Sequence, residues 1–333
     1  MSADTLRLGT RRSPMAVAQS GDVARLITQA SGRAVDLVGI TSFGDASKEQ
    51  LTQIGGTGVF VSSLRESLLR GEVDLAVHSL KDLPTAPAPG ITMAATPLRD
   101  DPRDAFVGAG GAKLADLPAG ARIGTGSPRR AQQLQVLRSD ITCVPIRGNA
   151  NTRLAKVRDG ELDGVVLAYA GLARIGFTGL VTEIFEPDAL VPAPGQGALA
   201  IECRTADAEL TALLASVDHS PTRAAVTAER SLLAALEAGC SAPVGAYATG
   251  TDTLHLRGLV IGQGPVSGCK DECGASASGL DEIAGSATMV IRERAEGPAA
   301  RAEELGRDLA ARMLARGAAR LMGATTNRDD AHD

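Results

Sequence analysis

The sequence predicts an α/β fold: two related α/β halves joined by a hinge, followed by a smaller α+β domain. Three observations predict it. Short apolar runs alternate with helical patterns through most of the 333 residues, as α/β layers require. The order strand, Gly-Thr, short gap, Ser-Pro, helix occurs twice, in "LGTRRSPMAVAQ" (8–19) and "IGTGSPRRAQQ" (123–133), so the halves read as pseudo-symmetric. Seams rich in proline and glycine, "TPLRDDPRD" (96–104) and "VPAPGQGAL" (191–199), flank the second half. Two crossings between the same halves fit a hinged pair with a cleft.

Each element follows in turn. "LRLGT" (6–10) reads as a strand, 14–30 as a helix and "VDLVGI" (35–40) as a strand. Residues 59–70 read as a helix and "VDLAVHS" (73–79) as a buried strand. The rhythm resumes with strands at 121–126, 141–146 and 164–170 and helices at 128–138 and 150–159, with mostly parallel pairing expected. "ALAIEC" (198–203) reads as a strand, before a helix near 206–215. From Pro221 the pattern changes to a long helix (222–238), strands near 244–248, 254–261 and 286–292, and a helix over 298–316, with 262–279 as a loop. The domains are expected at 1–97 with 198–217, at 100–193, and at 220–320, with 321–333 a disordered tail and 42–58 a mobile loop.

Composition narrows the function. Apolar residues make up 44% and aromatics only 2%, so the core must be built from Ala, Leu, Val and Ile. A net charge of −5 argues against nucleic acid as partner, and no apolar run is long enough to span a membrane. Five cysteines, without a secretory leader in the sequence, are expected as reduced thiols in a cytoplasmic protein. Arg11-Arg12 is not followed by an apolar run, so it does not read as an export signal. Cys269 and Cys273 have no second ligand pair, so no metal site is expected.

Arginines gather where ligands would bind. Ser and Pro are a sound helix start, and each repeat places one at the carboxyl end of a strand, where open α/β sheets bind anions. Arg11 and Arg12 precede the first such helix, Arg129 and Arg130 open the second, and Arg147, Arg153 and Arg174 follow later strands. A solvated face explains many surface arginines. A cation in a first helical turn, however, is disfavoured by the helix dipole and implies an anion, such as a substrate with several carboxylates. In "AVHSLKDLPT" (76–85), Asp82 is either half of a surface pair with Lys81 or, at a cleft mouth, a group that stabilises a developing cation or passes a proton. His78 reads as strand-end packing. Cys240 has no histidine within ten residues, a poor setting for a nucleophile or a metal ligand.

These residues lie in "TRRSP" (10–14), "DLAVHSLKDLP" (74–84), "DPRDAF" (101–106), "GTGSPRRAQQL" (124–134), "RGNANTRL" (147–154), "LAYAGLARIG" (167–176), "PAPGQGALAIEC" (192–203), "AER" (228–230) and "EAGCSAPVGAYA" (237–248). In that order, over about residues 5–320, the chain resembles the porphobilinogen deaminase (hydroxymethylbilane synthase) family. The resemblance implies two hinged α/β domains of the periplasmic-binding-protein type with a C-terminal α+β domain. It implies a monomeric transferase of tetrapyrrole biosynthesis that joins four porphobilinogen molecules head to tail, each losing ammonia, to give hydroxymethylbilane. It implies a dipyrromethane cofactor held by a thioether to Cys240, with Asp82 the catalytic carboxylate. Lys81, Arg11, Ser13, Thr125, Ser127, Arg129, Arg130, Arg147, Arg153 and Arg174 match positions that hold acetate and propionate groups, and Gln196 belongs to the hinge motif. Phe43, Gln53 and Thr57 stand where family members often carry cations, leaving Phe60 as a residue that could stack over a pyrrole. Arg12 is an extra cation. The alternative from the residues alone is a non-catalytic two-domain anion-binding protein, which has no use for a third domain with a placed cysteine.

Overall fold

The computed structural model describes residues 5–40, 58–239, 242–263, 281–282 and 288–326. In chain order the elements are β1 (Leu6–Arg11), α1 (Pro14–Ser31), β2 (Val35–Ile40), α2 (Gly58–Leu69), β3 (Leu75–Ser79), β4 (Ile91–Ala95), β5 (Asp104–Gly108), β6 (Arg122–Gly124), α3 (Pro128–Leu137), β7 (Thr142–Val144), α4 (Ala150–Arg158), β8 (Gly164–Ala168), α5 (Tyr169–Arg174), β9 (Glu183–Ile184), β10 (Leu199–Arg204), α6 (Ala208–Leu214), α7 (Ser220–Ala235), β11 (Val244–Thr249), β12 (Thr253–Gln263), β13 (Asp281–Glu282), β14 (Thr288–Pro298), α8 (Ala302–Ala315) and α9 (Ala318–Thr326). The chain forms two compact units. Unit 1 comprises Met1–Pro102, Ala170–Thr178 and Gly195–Arg223, and unit 2 comprises Arg103–Tyr169, Gly179–Pro194 and Ala224–Asp333.

Unit 1 holds a sheet of order β2-β1-β3-β10-β4. β1 runs parallel to β2 and β3, while β10 runs antiparallel to β3 and β4. Unit 2 holds a sheet of order β7-β6-β8-β5-β9 with the same senses: β6 parallel to β7 and β8, β5 antiparallel to β8 and β9. The halves therefore share one topology, as the repeated strand–Ser-Pro–helix pattern predicted. The expectation of mostly parallel pairing needs correction, because β4 and β5 were not read from the sequence. β5 and β10 each follow a seam, and each starts opposite its neighbour's last residues (Asp104 beside Ala168, Leu199 beside Ser79), so each must run back along it.

Alternation on the strands fills both faces. In unit 1, Leu8, Val23, Ile27, Leu75, Val77 and Ile201 pack on the α1 side, and Leu64, Leu68, Val73 and Ala76 on the α2 side. In unit 2, Phe106 is the one aromatic among the largest fully buried side chains. It fits because residue 164 is glycine: a Cβ there would lie 2.2 Å from the Phe106 ring.

Unit 2 also carries an antiparallel sheet of order β11-β12-β14-β13. One face packs on α7 and α8 through Leu232, Leu256, Ile291, Leu309 and Met313. Val191, Leu259, Ile261 and Val290 form a second cluster with Val136 and Tyr247. The last helix runs past residue 321, where a tail was expected to begin. α9 continues to Thr326 because Ala318 and Leu321 are buried in the core of this sheet, and Gly262 lets the α9 backbone approach β12. Residues 327–333, 41–57 (with all but the last residue of the mobile loop expected at 42–58) and 264–280 lie outside the described residues. Among the described residues no helix is long and apolar enough to cross a membrane, and no cluster of metal-ligating side chains occurs.

Candidate active site

In unit 1 the site grows from the ends of two adjacent parallel strands. β1 ends at Arg11, and Ser13 caps α1 by accepting a hydrogen bond from the Ala16 N–H (3.3 Å), with Pro14 in the first turn. Thr10, buried, donates to the Ala16 carbonyl (3.1 Å) and fixes the turn. β3 leads into a single 3₁₀ turn, Leu80–Asp82. Leu80 and Leu83 are buried on either side of it, and the Leu80 N–H donates to the Ala198 carbonyl (3.0 Å). Two anchored leucines thus force Asp82 out to solvent, while Lys81, half-buried, donates Nζ to Gln196 Oε1 (3.3 Å). Gln196 is 0% exposed and donates Nε2 to the Pro102 carbonyl (2.7 Å).

Beneath this edge lies a charged cluster. Glu202 on β10 accepts from Arg65 Nε and Nη2 (3.0 and 2.6 Å) and lies 3.2 Å from His78 Nε2. Burial pushes the Glu202 pKa up, but the close approach of His78 and the hydrogen bonds from Arg65 outweigh it and hold the carboxyl at about 2. His78 is a buried partner of this carboxylate.

In unit 2 the second Ser-Pro start behaves like the first. Ser127 Oγ accepts from the Arg130 N–H (3.4 Å), and buried Thr125 Oγ1 accepts from the Ser127 N–H (3.2 Å). Arg129 and Arg130 are buried, not exposed to solvent, and both bond Asp104, which is 0% exposed. Arg129 Nη2 donates to Asp104 Oδ2 (2.8 Å), and Arg130 donates Nε and Nη2 to Oδ1 (3.0 and 2.7 Å). Burial raises the Asp104 pKa, but the two guanidiniums overcome that and hold it far below the ordinary carboxylate range. Part of the counter-charge inferred from the helix dipole is therefore supplied, for these two arginines, by the protein itself. Sequence reasoning missed Asp104. Its signal was an acid opening the fully buried run "DAFVG".

Arg153 stands differently. Its Nε donates to the Gly148 carbonyl (2.8 Å). Burial and then the neighbouring Arg130 cation lower its pKa. Arg147 is exposed after β7. Arg153 thus stands close to Arg130, which shares Asp104 with Arg129. This group of guanidiniums, beside a capped helix start and two hydroxyls, fits a group bearing several carboxylates. Arg174, in unit 1, is bonded to Asp100 and to the Gly197 carbonyl. Cys240 and the side chain of Phe60 lie outside the described residues. Next to Cys240, a Cβ at Gly239 would meet no heavy atom within 4 Å, so the backbone there borders open space.

The chain was compared with known proteins. Residues 6–212 match the family model described as "Porphobilinogen deaminase, dipyromethane cofactor binding domain", and residues 223–264 match the one described as "Porphobilinogen deaminase, C-terminal domain". The chain belongs to the porphobilinogen deaminase family. It is 56% identical to a porphobilinogen deaminase of Thermobifida fusca, over 96% of each chain. It is 54% identical to porphobilinogen deaminase 1 of Streptomyces coelicolor, over 97% of this chain and 99% of that one. A periplasmic substrate-binding protein from Coxiella burnetii is similar at 16% identity and a TM-score of 0.41, over 65% of this chain and 93% of that one. As a porphobilinogen deaminase the chain is a transferase acting on porphobilinogen, and its cofactor is dipyrromethane. The non-catalytic alternative falls away.

Proposed function

We propose that this porphobilinogen deaminase condenses four porphobilinogen molecules into hydroxymethylbilane with Asp82 as its catalytic carboxylate and Cys240 as the anchor of its cofactor. The observation that carries the reading is the Leu80–Asp82 turn, which holds an exposed carboxylate between two buried leucines at a strand end. As ammonia leaves porphobilinogen, positive charge spreads over the pyrrole as an azafulvenium. A fixed carboxylate at the ring nitrogen stabilises that charge without reorganising. Attack by the pyrrole α-carbon of the growing chain then forms the new carbon–carbon bond, and the proton lost from that carbon must be taken up. An exposed carboxylate can pass it to solvent.

The dipyrromethane, when bound, supplies the free pyrrole position to which the first unit is added. The residues proposed to hold its acetate and propionate groups, and those of the substrate, are Arg11, Ser13 and Lys81 in unit 1 and Thr125, Ser127, Arg130, Arg147 and Arg153 in unit 2. Arg153 is one of these: burial first and the neighbouring Arg130 cation second disfavour its charge, and an added carboxylate would offset both. Cys240 needs no adjacent base as an anchor alkylated once, and the open space at Gly239 supports a bulky attachment there. Free Cys143 and Cys203 support a reducing, cytoplasmic setting, and we take the enzyme to act as a monomer.

Asp82→Asn tests the assignment. The variant should fold as the parent does, since the side chain is exposed, and should lose at least about a thousandfold in turnover if electrostatic stabilisation is its role. Turnover close to that of the parent removes Asp82 from the mechanism.

A further inference from the structure

Gln133 on α3 is 1% exposed and takes no part in the proposed reaction. Its amide meets both backbone groups of one seam residue, Val191. Oε1 accepts from the Val191 N–H (2.8 Å), and Nε2 donates to the Val191 carbonyl (3.1 Å). Nε2 also donates to the Arg129 carbonyl, one helical turn back (3.3 Å). Arg129 closes the circuit, because its Nη1 donates to the same Val191 carbonyl. Both N–H donors of the Gln133 side chain thus serve to hold residue 191 on the start of α3, where Ser127, Arg129 and Arg130 lie.

Val191 is held as closely from the other side. Gly245 on β11 faces it, and a Cβ on residue 245 would lie 2.9 Å from the Val191 Cβ. The Ala246 N–H donates to the Pro192 carbonyl (3.0 Å). The Val191 side chain is buried with Leu259, Ile261 and Val290 of the C-terminal sheet. β11 starts at Val244, four residues after Cys240. Its entry is fixed as well, since the Ile261 N–H donates to the Pro243 carbonyl (3.1 Å). All of these residues belong to unit 2. Residues 191–192 therefore join the strand that follows the cofactor anchor to the helix start that offers Ser127 and Arg130.

We propose that Gln133 is a positioning residue for the cofactor: by clamping Val191 it sets the start of α3, with Ser127 and Arg130, at a fixed separation from β11 and the Cys240 segment before it. The proposal rests on the reading of Cys240 as the anchor and of Ser127 and Arg130 as carboxylate ligands. A group tied at one end and gripped by its carboxylates elsewhere must match both attachments at once, which demands placement within about 0.5 Å. Methionine at 133 would keep the shape of the side chain but leave the buried Val191 N–H without its acceptor, so the seam would shift to find another.

The test compares parent, Q133M, G245A and L305A enzymes, expressed and purified alike. Intact-mass spectrometry reads the fraction of chains that carry the two-pyrrole addition, peptide mapping locates it, and calorimetry gives Tm. Leu305 is buried on α8 near Gly297, in the cluster on the opposite face of the sheet from Val191, so L305A reports what lost stability alone does. Positioning predicts that the loaded fraction falls below half in Q133M, and likewise in G245A, whose added Cβ would push on Val191 from the other side. It predicts parental loading in L305A even where Tm falls as far. Parental loading in Q133M, or an equal loss in L305A, overturns the proposal. G245A carries the test by itself should Q133M fail to fold. A parent whose added mass is absent or lies on another residue refutes the Cys240 reading and the positioning with it, while a parent loaded on Cys240 beside an equally loaded Q133M refutes the positioning alone.

Discussion

Asp104→Asn probes the buried cluster most sharply. The substitution keeps the shape and removes the charge that serves Arg129 and Arg130, both buried. Three N–H donors, Arg129 Nη2 and Arg130 Nε and Nη2, lose a charged acceptor. Removing one partner of a buried ion pair costs about 3–5 kcal/mol, because the other charge is left uncompensated. At about 2–4 °C per kcal/mol for a domain of this size, the transition reporting unit 2 should fall by about 6–20 °C. Differential scanning calorimetry reads it directly, and separate transitions for the units are acceptable. The pH dependence has a definite sign. The Asp104 pKa is lowered in the folded protein, so its contribution is fully present above the ordinary carboxylate range and is lost only as pH falls through the lower folded value. The deficit of the variant should therefore be flat from about pH 6 to 8. Replacing all three residues, as D104L/R129M/R130M, should restore much of the stability, since an apolar cluster of similar volume needs no counter-charge. A shift under about 2 °C for D104N, equivalent to less than about 1 kcal/mol, would refute the buried-network reasoning.

Two further outcomes follow from the described geometry. Glu202→Gln should destabilise unit 1 near neutral pH by about 3 kcal/mol, the value of a carboxyl held near 2 against an ordinary value of about 4.3. The folded pKa is depressed, so the gap between variant and parent should close as pH falls from about 4.3 towards 2; urea titrations along that range would show it, and a gap that widens on acidification contradicts the assignment. Gly197→Ala should cost more than the roughly 1–2 kcal/mol of an Ala forced to positive φ, because its Cβ also meets a backbone carbonyl at 2.6 Å; a melting temperature unchanged from the parent would mean that the seam relaxes freely.

What the sequence made legible was local. Ser13-Pro14 and Ser127-Pro128 announce helix starts because cap and first turn are written in adjacent residues, and both caps form. "LAVHS" (75–79) reads as a buried strand because it is apolar on both faces. β4 escaped because "ITMAA" (91–95) is short and half-buried with no clean alternation, and β5 because "DPR" ahead of it reads as a seam. The missing layer is long-range pairing. Nothing near Arg129 and Arg130 in sequence reveals Asp104, 25 and 26 residues upstream, and nothing near Arg174 reveals Asp100, 74 residues away. An arginine facing a ligand and one facing an internal carboxylate look alike until the fold brings the partner in. The same limit hid Leu321, whose buried place on β12 extends the last helix past the expected boundary.

The central claim is that Cys240 anchors a dipyrromethane on which the product grows. Intact-mass spectrometry of the purified, active enzyme, followed by peptide mapping, tests it most directly. The account predicts a chain heavier than its sequence by two pyrrole units, with the added mass confined to the peptide that contains Cys240. Active enzyme whose mass equals that of the bare polypeptide, or whose added mass maps to another residue, would contradict it.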